Sequence, residues 1–158
     1  MRPTVYIETT IPSYYCDERP ELRNEIARTR EWWNEERSTY ECFISPAVLD
    51  ELAAGSYATQ RAALVLVETL AILEVATEVV DIATVYQSRG VMPKAPVRDA
   101  LHLAIASYYR MDYLLTWNCR HLANANKFKR IEAVNAEMRI SFPLLVTPNQ
   151  LRPWEMDV

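Results

Sequence analysis

Short β-branched and aromatic runs alternate with helix-length segments along the chain, and this alternation restricts the fold more than any other feature of the sequence. The runs predict strands over residues 4–8, 42–45, 113–117 and 144–147, with a brief extended piece at 73–75. Apolar spacing and capping residues predict helices over residues 20–36, 46–54, 58–70, 78–89, 97–109 and 125–138, with a turn or short helix at 11–16. Strands separated by helices are typical of an α/β domain with a largely parallel sheet.

The length and composition fit one globular domain. Half of the 158 residues are apolar and 24% are charged, so the chain can bury a core without disulfides or a structural metal. We expect the domain to span residues 1–148, followed by a C-terminal tail over residues 149–158. The longest unbroken apolar run, residues 62–67, is far shorter than the ~20 residues that cross a bilayer. Glu8 interrupts the first hydrophobic stretch, so neither a membrane span nor a signal peptide is predicted.

Three counts narrow the possible functions. The odd number of cysteines, three, without a CxxC pair indicates reduced thiols and a cytoplasmic protein. The formal net charge of -4 provides no overall positive field for nucleic acid, so such binding would depend on local basic residues or a bound cation. Two widely separated glycines, Gly55 and Gly90, cannot form a glycine-rich phosphate loop.

Four polar residues are predicted to lie at the carboxyl edge of the sheet, where wound parallel sheets bind ligands. Glu8 ends the first strand and Asn118 follows the strand at residues 113–117. Glu51 lies in the second turn of the helix that leaves the second strand. Asp99 begins a helix that runs back against the sheet.

The helical phase separates two neighbouring acids. At about 100° per residue, Val48 and Leu52 mark the core side of their helix, and Glu51 borders that side while Asp50 points to solvent. Carboxylates that converge on one edge repel each other and have raised pKa values unless a cation neutralises them. Hard oxygen ligands without thiolates or paired histidines favour Mg²⁺ or Mn²⁺, which supports phosphate chemistry.

These residues fall within four segments that occur in order over nearly the whole chain. The segments are Val5-Tyr-Ile-Glu-Thr-Thr-Ile11, Ile44-Ser-Pro-Ala-Val-Leu-Asp-Glu-Leu52, Asp99-Ala-Leu-His-Leu-Ala-Ile-Ala106 and Leu114-Leu-Thr-Trp-Asn-Cys-Arg-His-Leu122. Together they resemble PIN-domain proteins, in particular the VapC-like toxins of type II toxin–antitoxin pairs. The resemblance implies a single PIN-like domain with a mostly parallel five-stranded sheet flanked by helices. It also implies metal-dependent hydrolysis of RNA phosphodiesters, a cognate antitoxin and a homodimer.

The resemblance assigns the catalytic set position by position. Glu8 matches the first acid, Glu51 the second and Asp99 the third, and these three are the expected Mg²⁺ or Mn²⁺ ligands. Asn118 stands where the family usually has a fourth aspartate, so the site has three formal negative charges rather than four. Glu8 also replaces the commoner aspartate. Because divalent affinity rises with ligand charge, the neutral Asn118 weakens binding of a second ion.

Alternatives remain open for the whole chain and for single residues. The loss of the fourth acid is also compatible with a catalytically impaired module that binds RNA or protein. A phosphoryl-accepting receiver domain is disfavoured, because residues 145–148 contain no lysine at the end of the last strand. Thr10 and Thr116 either orient metal-bound water or cap backbone groups. His102 either supports the metal or phosphate or is a hydrogen-bonded structural histidine beside Asp99.

Other polar and aromatic residues have two interpretations each. Cys119 and His121 with His102 do not match the spacing of a closed zinc site. Trp117 either stacks on an RNA base or packs beside the sheet edge. Trp32 and Trp33 are expected in the core or an interface, and the arginines of residues 19–37 on a solvated helix face. The better basic patch for RNA comprises Lys127, Lys129 and Arg130.

Overall fold

The computed structural model describes residues 1–154. The strands are β1 (Thr4–Ile7), β2 (Glu41–Ile44), β3 (Ala71–Ile72), β4 (Tyr113–Leu115) and β5 (Leu144–Val146). The helices are α1 (Thr10–Cys16), α2 (Arg23–Glu31), α3 (Pro46–Ala53), α4 (Gln60–Val67), α5 (Thr77–Ser88), α6 (Arg98–Tyr108) and α7 (Ala125–Glu137). The predicted α/β class and the five-stranded parallel sheet are confirmed.

The sheet has the order β3-β2-β1-β4-β5, and every neighbouring pair is parallel. The register pairs Val5 with Cys42 on one side and with Tyr113 on the other. The β-branched and aromatic strand β1 is central, and its residues 5–7 are completely buried. Right-handed crossovers place α1 to α4 on one face of the sheet and α5 to α7 on the other, because the direction of winding reverses after β3. The sheet is therefore buried on both faces, as parallel sheets require.

Most predicted elements occur, with shorter bounds. The strands β1 and β4 end at Ile7 and Leu115, so Glu8 and Thr116 lie just beyond the sheet rather than within it. The third strand is Ala71–Ile72 rather than residues 73–75. The predicted helix over residues 20–36 contains a 3₁₀ turn at Pro20–Leu22, then α2, then a π-helical turn at Trp32–Glu36. That π turn brings both tryptophans into the core, where Trp32 is fully buried.

Arg28 contradicts the expectation that the arginines of residues 19–37 share a solvated face. Its guanidinium is buried and forms an ion pair with the buried Glu36, with Nη2 to Oε1 at 2.9 Å, and a second ion pair with Glu31. It also donates to the backbone carbonyls of Pro148, at 2.8 Å, and Leu151, at 3.1 Å. Arg28 thus fixes the chain after β5 against α2. Residues 155–158 of the predicted tail lie outside the described residues, and the predicted domain boundary stays a prediction.

None of the helices within residues 1–154 has the length and apolarity needed to span a bilayer.

Candidate metal centre

The strand order reverses between β1 and β4, which are neighbours in the sheet but are far apart in sequence. In open parallel sheets, the carboxyl ends of such a strand pair border the crevice where ligands bind. Glu8 follows β1 directly, and its backbone N–H donates to the carbonyl of Leu115, the last residue of β4, at 3.1 Å. Thr116 and Asn118 follow β4. The topology therefore places these side chains at one position on the sheet edge.

Glu8 is a buried carboxylate, with 3% of its surface exposed. Its Oε1 accepts hydrogen bonds from the backbone N–H of Thr10, at 2.9 Å, from the Thr10 hydroxyl, and from the Thr116 hydroxyl, at 2.8 Å. Burial raises the pKa of Glu8, while the charge of His102 and the threonine hydrogen bonds act in the opposite direction without cancelling it. The protein therefore holds the Glu8 carboxylate in one orientation but stabilises its negative charge less well than water would.

The two threonines do more than either sequence interpretation proposed. Both hydroxyls donate to Glu8, so each holds the carboxylate. Each hydroxyl also accepts a hydrogen bond from a backbone N–H in the segment after β4. Thr10 Oγ1 accepts from the N–H of Trp117 at 2.8 Å, and Thr116 Oγ1 accepts from the N–H of Asn118 at 2.9 Å. Their backbone-capping role is seen directly. Their contact with Glu8 also orients a candidate metal ligand, and a role in orienting metal-bound water stays a prediction.

Glu51 projects from α3 toward the fully buried His102 of α6. His102 Nε2 donates to Glu51 Oε1 at 2.6 Å, because a carboxylate only accepts hydrogen bonds. His102 Nδ1 lies 2.7 Å from the hydroxyl of the buried Tyr6, which lies 2.8 Å from Ser45 Oγ. The two hydroxyls can rotate to accept or donate, so every member of this chain is satisfied whether His102 carries one proton or two.

The helical phase correctly separated the two acids of α3. Val48 and Leu52 are buried, Asp50 is exposed, and Glu51 is half-buried beside the core. Ser45, in contrast, makes no side-chain cap to α3, because its hydroxyl bonds to Tyr6 instead. The core side of the helix follows the apolar pattern, whereas the partner of a buried hydroxyl depends on another strand.

Asp99 and Asn118 form the second half of the candidate site. Asn118 Nδ2 donates to Asp99 Oδ1 at 3.0 Å, and Asn118 Oδ1 accepts the backbone N–H of His121 at 3.0 Å. The Asn118 oxygen is therefore used by the turn after β4, and its amide nitrogen faces the acid. The assignment of oxygen and nitrogen follows from these two contacts, since only an N–H can donate to Asp99.

The structure brings the predicted residues together in two groups rather than one. Ligand atoms of Glu8, Glu51 and His102 lie within 4.8 Å of one another. Asp99 is not a member of that group. It lies one helical turn before His102 on α6, and its charge is one of the influences on the His102 pKa. Asn118 connects to both groups, through Thr116 to Glu8 and through its amide to Asp99.

The surrounding carboxylates determine the protonation of His102. Burial alone would lower the His102 pKa, but the hydrogen bond that His102 donates to Glu51 and the charges of Glu8, Glu51 and Asp99 outweigh burial and raise it. Burial raises the pKa of Tyr6, so its hydroxyl stays neutral. The three carboxylates therefore favour the protonated imidazole more than water does.

The three acids share a feature that fits a divalent cation. Each has one oxygen that accepts a hydrogen bond from the protein: Glu8 Oε1, Glu51 Oε1 and Asp99 Oδ1. The second oxygen of each accepts no hydrogen bond from residues 1–154. Metal-binding carboxylates are commonly arranged in this way, with one oxygen oriented by a donor and the other free for the ion. Three such oxygens suit Mg²⁺ or Mn²⁺.

Three side chains that are candidates for binding zinc or RNA do not join the group of candidate ligands or have other contacts. Cys119 and His121 do not belong to the group formed by Glu8, Glu51 and His102. The Trp117 ring stacks on Tyr14, with centroids 5.7 Å apart and an interplanar angle of 13°. Its indole N–H donates to Thr29 Oγ1 at 2.7 Å. These contacts agree with packing beside the sheet edge.

Two surface cavities lie at different distances from the candidate metal ligands. A cavity of about 580 Å³ lies at the opposite, amino end of the sheet, lined by residues such as Arg2, Arg110 and Leu144. A smaller cavity of about 370 Å³ lies between α3 and α6, and Glu51, Asp50, Arg98 and Leu101 contribute to its walls. Of these two cavities in the described part of the chain, the smaller one reaches a candidate ligand, Glu51. We therefore regard the smaller cavity as the approach to the site, despite its size.

Sequence reasoning missed Tyr6 and Ser45 as parts of the site. A signal for Tyr6 was present, because it lies two residues before Glu8 on the central strand and shares its side of the sheet. A strand residue on the same side as Glu8 that ends in a hydroxyl group, as Tyr6 does, is directed toward the candidate acids. No comparable signal identifies Ser45, whose position before Pro46 resembles an ordinary N-cap.

The parallel sheet of order β3-β2-β1-β4-β5, with acids at its carboxyl edge, defines an α/β domain with a candidate ligand site at the strand-order reversal. No family model and no curated protein matches the chain. Solved structures do match. A chain of a toxin–antitoxin complex from Klebsiella pneumoniae is 18% identical with a TM-score of 0.58, covering 91% of this chain and 97% of that one.

A second solved structure gives a similar result. A chain of VapBC2 from Rickettsia felis, bound to a DNA fragment from its promoter, is 15% identical with a TM-score of 0.52, covering 91% of this chain and 98% of that one. At this level of identity the similarity concerns the fold. The resemblance to VapC-like PIN-domain proteins is thereby confirmed for the fold.

Proposed function

We propose that this protein is a metal-dependent endoribonuclease that hydrolyses RNA phosphodiesters and acts as the toxin of a toxin–antitoxin pair. One observation carries the proposal: Glu8, Glu51 and Asp99 each keep one carboxylate oxygen that accepts no hydrogen bond from residues 1–154, at the strand-order reversal of a PIN-like fold. Glu8 and Glu51 lie in one group and Asp99 lies one helical turn before its third member, His102, and gathering acids this closely is costly unless a cation compensates their charge. The fold comparisons are compatible with the proposal but do not extend to activity.

The proposed roles follow from the contacts. Glu8, Glu51 and Asp99 hold Mg²⁺ or Mn²⁺, and Asn118 supports Asp99 as a neutral donor. His102 fixes the orientation of Glu51. A divalent ion in this position would polarise the phosphodiester and lower the pKa of an attacking water. The residues themselves hold one oxygen of each carboxylate by a hydrogen bond, and the near-complete burial of Glu8 limits its contact with bulk water.

The RNA substrate, a cognate antitoxin protein and a homodimer are further parts of this proposal. The cavity of about 370 Å³ reaches Glu51, one of the candidate ligands, and is the approach that we propose for RNA. Two solved structures that share the fold are a toxin–antitoxin complex and VapBC2. By analogy of fold, they support a search for an inhibitory partner of this chain.

A second candidate function is a PIN-like module that binds RNA or protein and has lost turnover. The contact between Asn118 and Asp99 favours it, because an amide N–H occupies an oxygen that a fourth acid would leave for a metal. This candidate predicts RNA or partner binding that does not change with divalent ions, and no cleavage with any of them.

A cleavage assay separates the two candidates. Purified protein is incubated with single-stranded RNA in Mg²⁺, Mn²⁺ or EDTA, beside Asp99→Asn and, as a control, Asp50→Asn, which changes an exposed acid of α3. We expect cleavage with either ion, none in EDTA, a loss of at least about 100-fold in Asp99→Asn, and no change in Asp50→Asn. Cleavage that persists in both EDTA and Asp99→Asn contradicts metal catalysis.

A further inference from the structure

Lys127 of α7 is held next to the candidate site by the same turn that positions Asn118. Its ammonium donates to the backbone carbonyl of His121 at 2.8 Å and contacts the sulfur of the buried Met92 at 3.8 Å. The backbone N–H of His121 in turn donates to Asn118 Oδ1, and Asn118 Nδ2 donates to Asp99. The backbone of His121 and the side chain of Asn118 therefore link the ammonium with the third candidate ligand.

The charge of Lys127 is not neutralised by a close partner. Within residues 1–154, none of the ion pairs at 4.0 Å or less includes this residue. The side chain is half-buried, and burial lowers its pKa while the charge of Asp99 acts in the opposite direction. Asp99 is thus near enough to act on the ammonium electrostatically but does not pair with it. An ammonium in this setting keeps a donor for an anionic ligand.

We propose that the Lys127 ammonium binds a backbone phosphate of the RNA on the Asp99 side of the site. This inference rests on the proposed function for the identity of the ligand. Lys127 would place a fixed positive charge at the acidic edge, near the position where Asn118 replaces an acid. The protein itself would then neutralise part of the phosphate charge, in addition to the metal ion. It also separates Lys127 from Lys129 and Arg130, which belong to the same predicted basic patch but are exposed and lack this connection to the site.

The test uses salt dependence of RNA affinity. Binding of a short fluorescein-labelled single-stranded RNA is followed by anisotropy in Ca²⁺ over a series of salt concentrations. The proteins are wild type, Lys127→Ala, Lys127→Arg and the matched control Lys129→Ala. We expect Lys127→Ala to bind about tenfold more weakly at low salt. We also expect it to reduce the slope of log affinity against log salt by about 0.7, the value for one lost phosphate contact on a single strand. Lys127→Arg and Lys129→Ala should keep the wild-type slope.

The alternative is that Lys127 only stabilises the turn after β4 through the His121 carbonyl. In that case Lys127→Ala lowers thermal stability but leaves the salt slope at the wild-type value, and the inference is overturned. An absence of RNA binding by wild type also overturns it. Wild-type cleavage tests the proposed function separately. If wild type shows metal-dependent cleavage but Lys127→Ala and Lys129→Ala have equal salt slopes, the Lys127 contact is refuted and the proposed nuclease function stands. A reduced slope without any cleavage supports the contact and contradicts the nuclease.

Discussion

Replacing Glu8 by glutamine tests whether this buried acid is part of a cation site. Glutamine keeps an oxygen that can accept the hydrogen bonds from Thr10 and Thr116 but removes the charge. Since burial raises the pKa of Glu8, the ionised form is disfavoured in the folded protein. We therefore expect Glu8→Gln to be more stable than wild type in EDTA at neutral pH, and less stabilised by Mg²⁺ or Mn²⁺.

The direction of the pH dependence follows from the raised pKa. A carboxyl whose folded pKa exceeds its unfolded value favours folding when protonated. Its contribution is present below about pH 4.3, the ordinary glutamate pKa, and is lost as the pH rises through the folded value. In EDTA, the stability advantage of Glu8→Gln over wild type should consequently grow across that interval and then level off. A divalent ion that neutralises Glu8 should reverse the difference.

Linkage gives the size of the ion effect. An ion at 100 times its dissociation constant stabilises the folded protein by about 2.7 kcal/mol, which corresponds to a rise in Tm of roughly 5–11 °C for a domain of this size. If Glu8→Gln weakens ion binding about 100-fold, a loss at the upper end of those measured for altered metal sites, the same ion concentration stabilises it by only about 0.4 kcal/mol.

Differential scanning fluorimetry with and without Mn²⁺ measures these shifts, and Asp50→Asn is the matched control because it removes an exposed acid. The control should respond to Mn²⁺ like wild type. The reasoning is refuted if Glu8→Gln is destabilised in EDTA and still gains the full Mn²⁺ shift, because Glu8 would then be a hydrogen-bond acceptor without a role in cation binding.

Three further predictions concern neighbouring features. Arg28→Ala should lose about 3–5 kcal/mol of stability by leaving Glu36 buried and unpaired, a fall in Tm of roughly 6–20 °C, whereas the exposed Arg23→Ala should change little; chemical denaturation measures both. Asn118→Asp should lower the free energy of unfolding in EDTA by placing a second negative charge beside Asp99, and should enlarge the Mn²⁺-induced rise in Tm; an unchanged Mn²⁺ shift would argue against the charge-count explanation. His102→Asn should weaken Mn²⁺ binding about 10–100-fold by releasing Glu51, as calorimetry can show, and wild-type affinity would exclude this positioning role.

The sequence predicted the elements that depend on local pattern. The apolar spacing of α3 distinguished Glu51 from Asp50, because a helix presents the same side of its surface every three to four residues. The short β-branched runs identified β1 and β4, and parallel winding then placed Glu8 and Asn118 at the same edge. These inferences needed only neighbours along the chain and the general rules of α/β topology.

The remaining features depend on contacts between residues that are distant in sequence. The bond between Tyr6 and His102 joins residues 96 positions apart, and the bond between Arg28 and Pro148 joins residues 120 apart. A helix rich in alternating charges does not reveal which arginine a distant segment will cover. The orientation of the Asn118 amide is likewise fixed by the turn after β4, so its identity alone did not show that it donates to Asp99.

The most direct measurement is a titration of the metal-free protein with Mn²⁺ followed by electron paramagnetic resonance, which detects the free aqueous ion. The account predicts saturable loss of the free-ion signal by wild type, and by Asp50→Asn to the same degree. It predicts strongly weakened binding by Glu8→Gln and Asp99→Asn. A free-ion signal that wild-type protein leaves unchanged at every concentration would contradict the proposed metal centre.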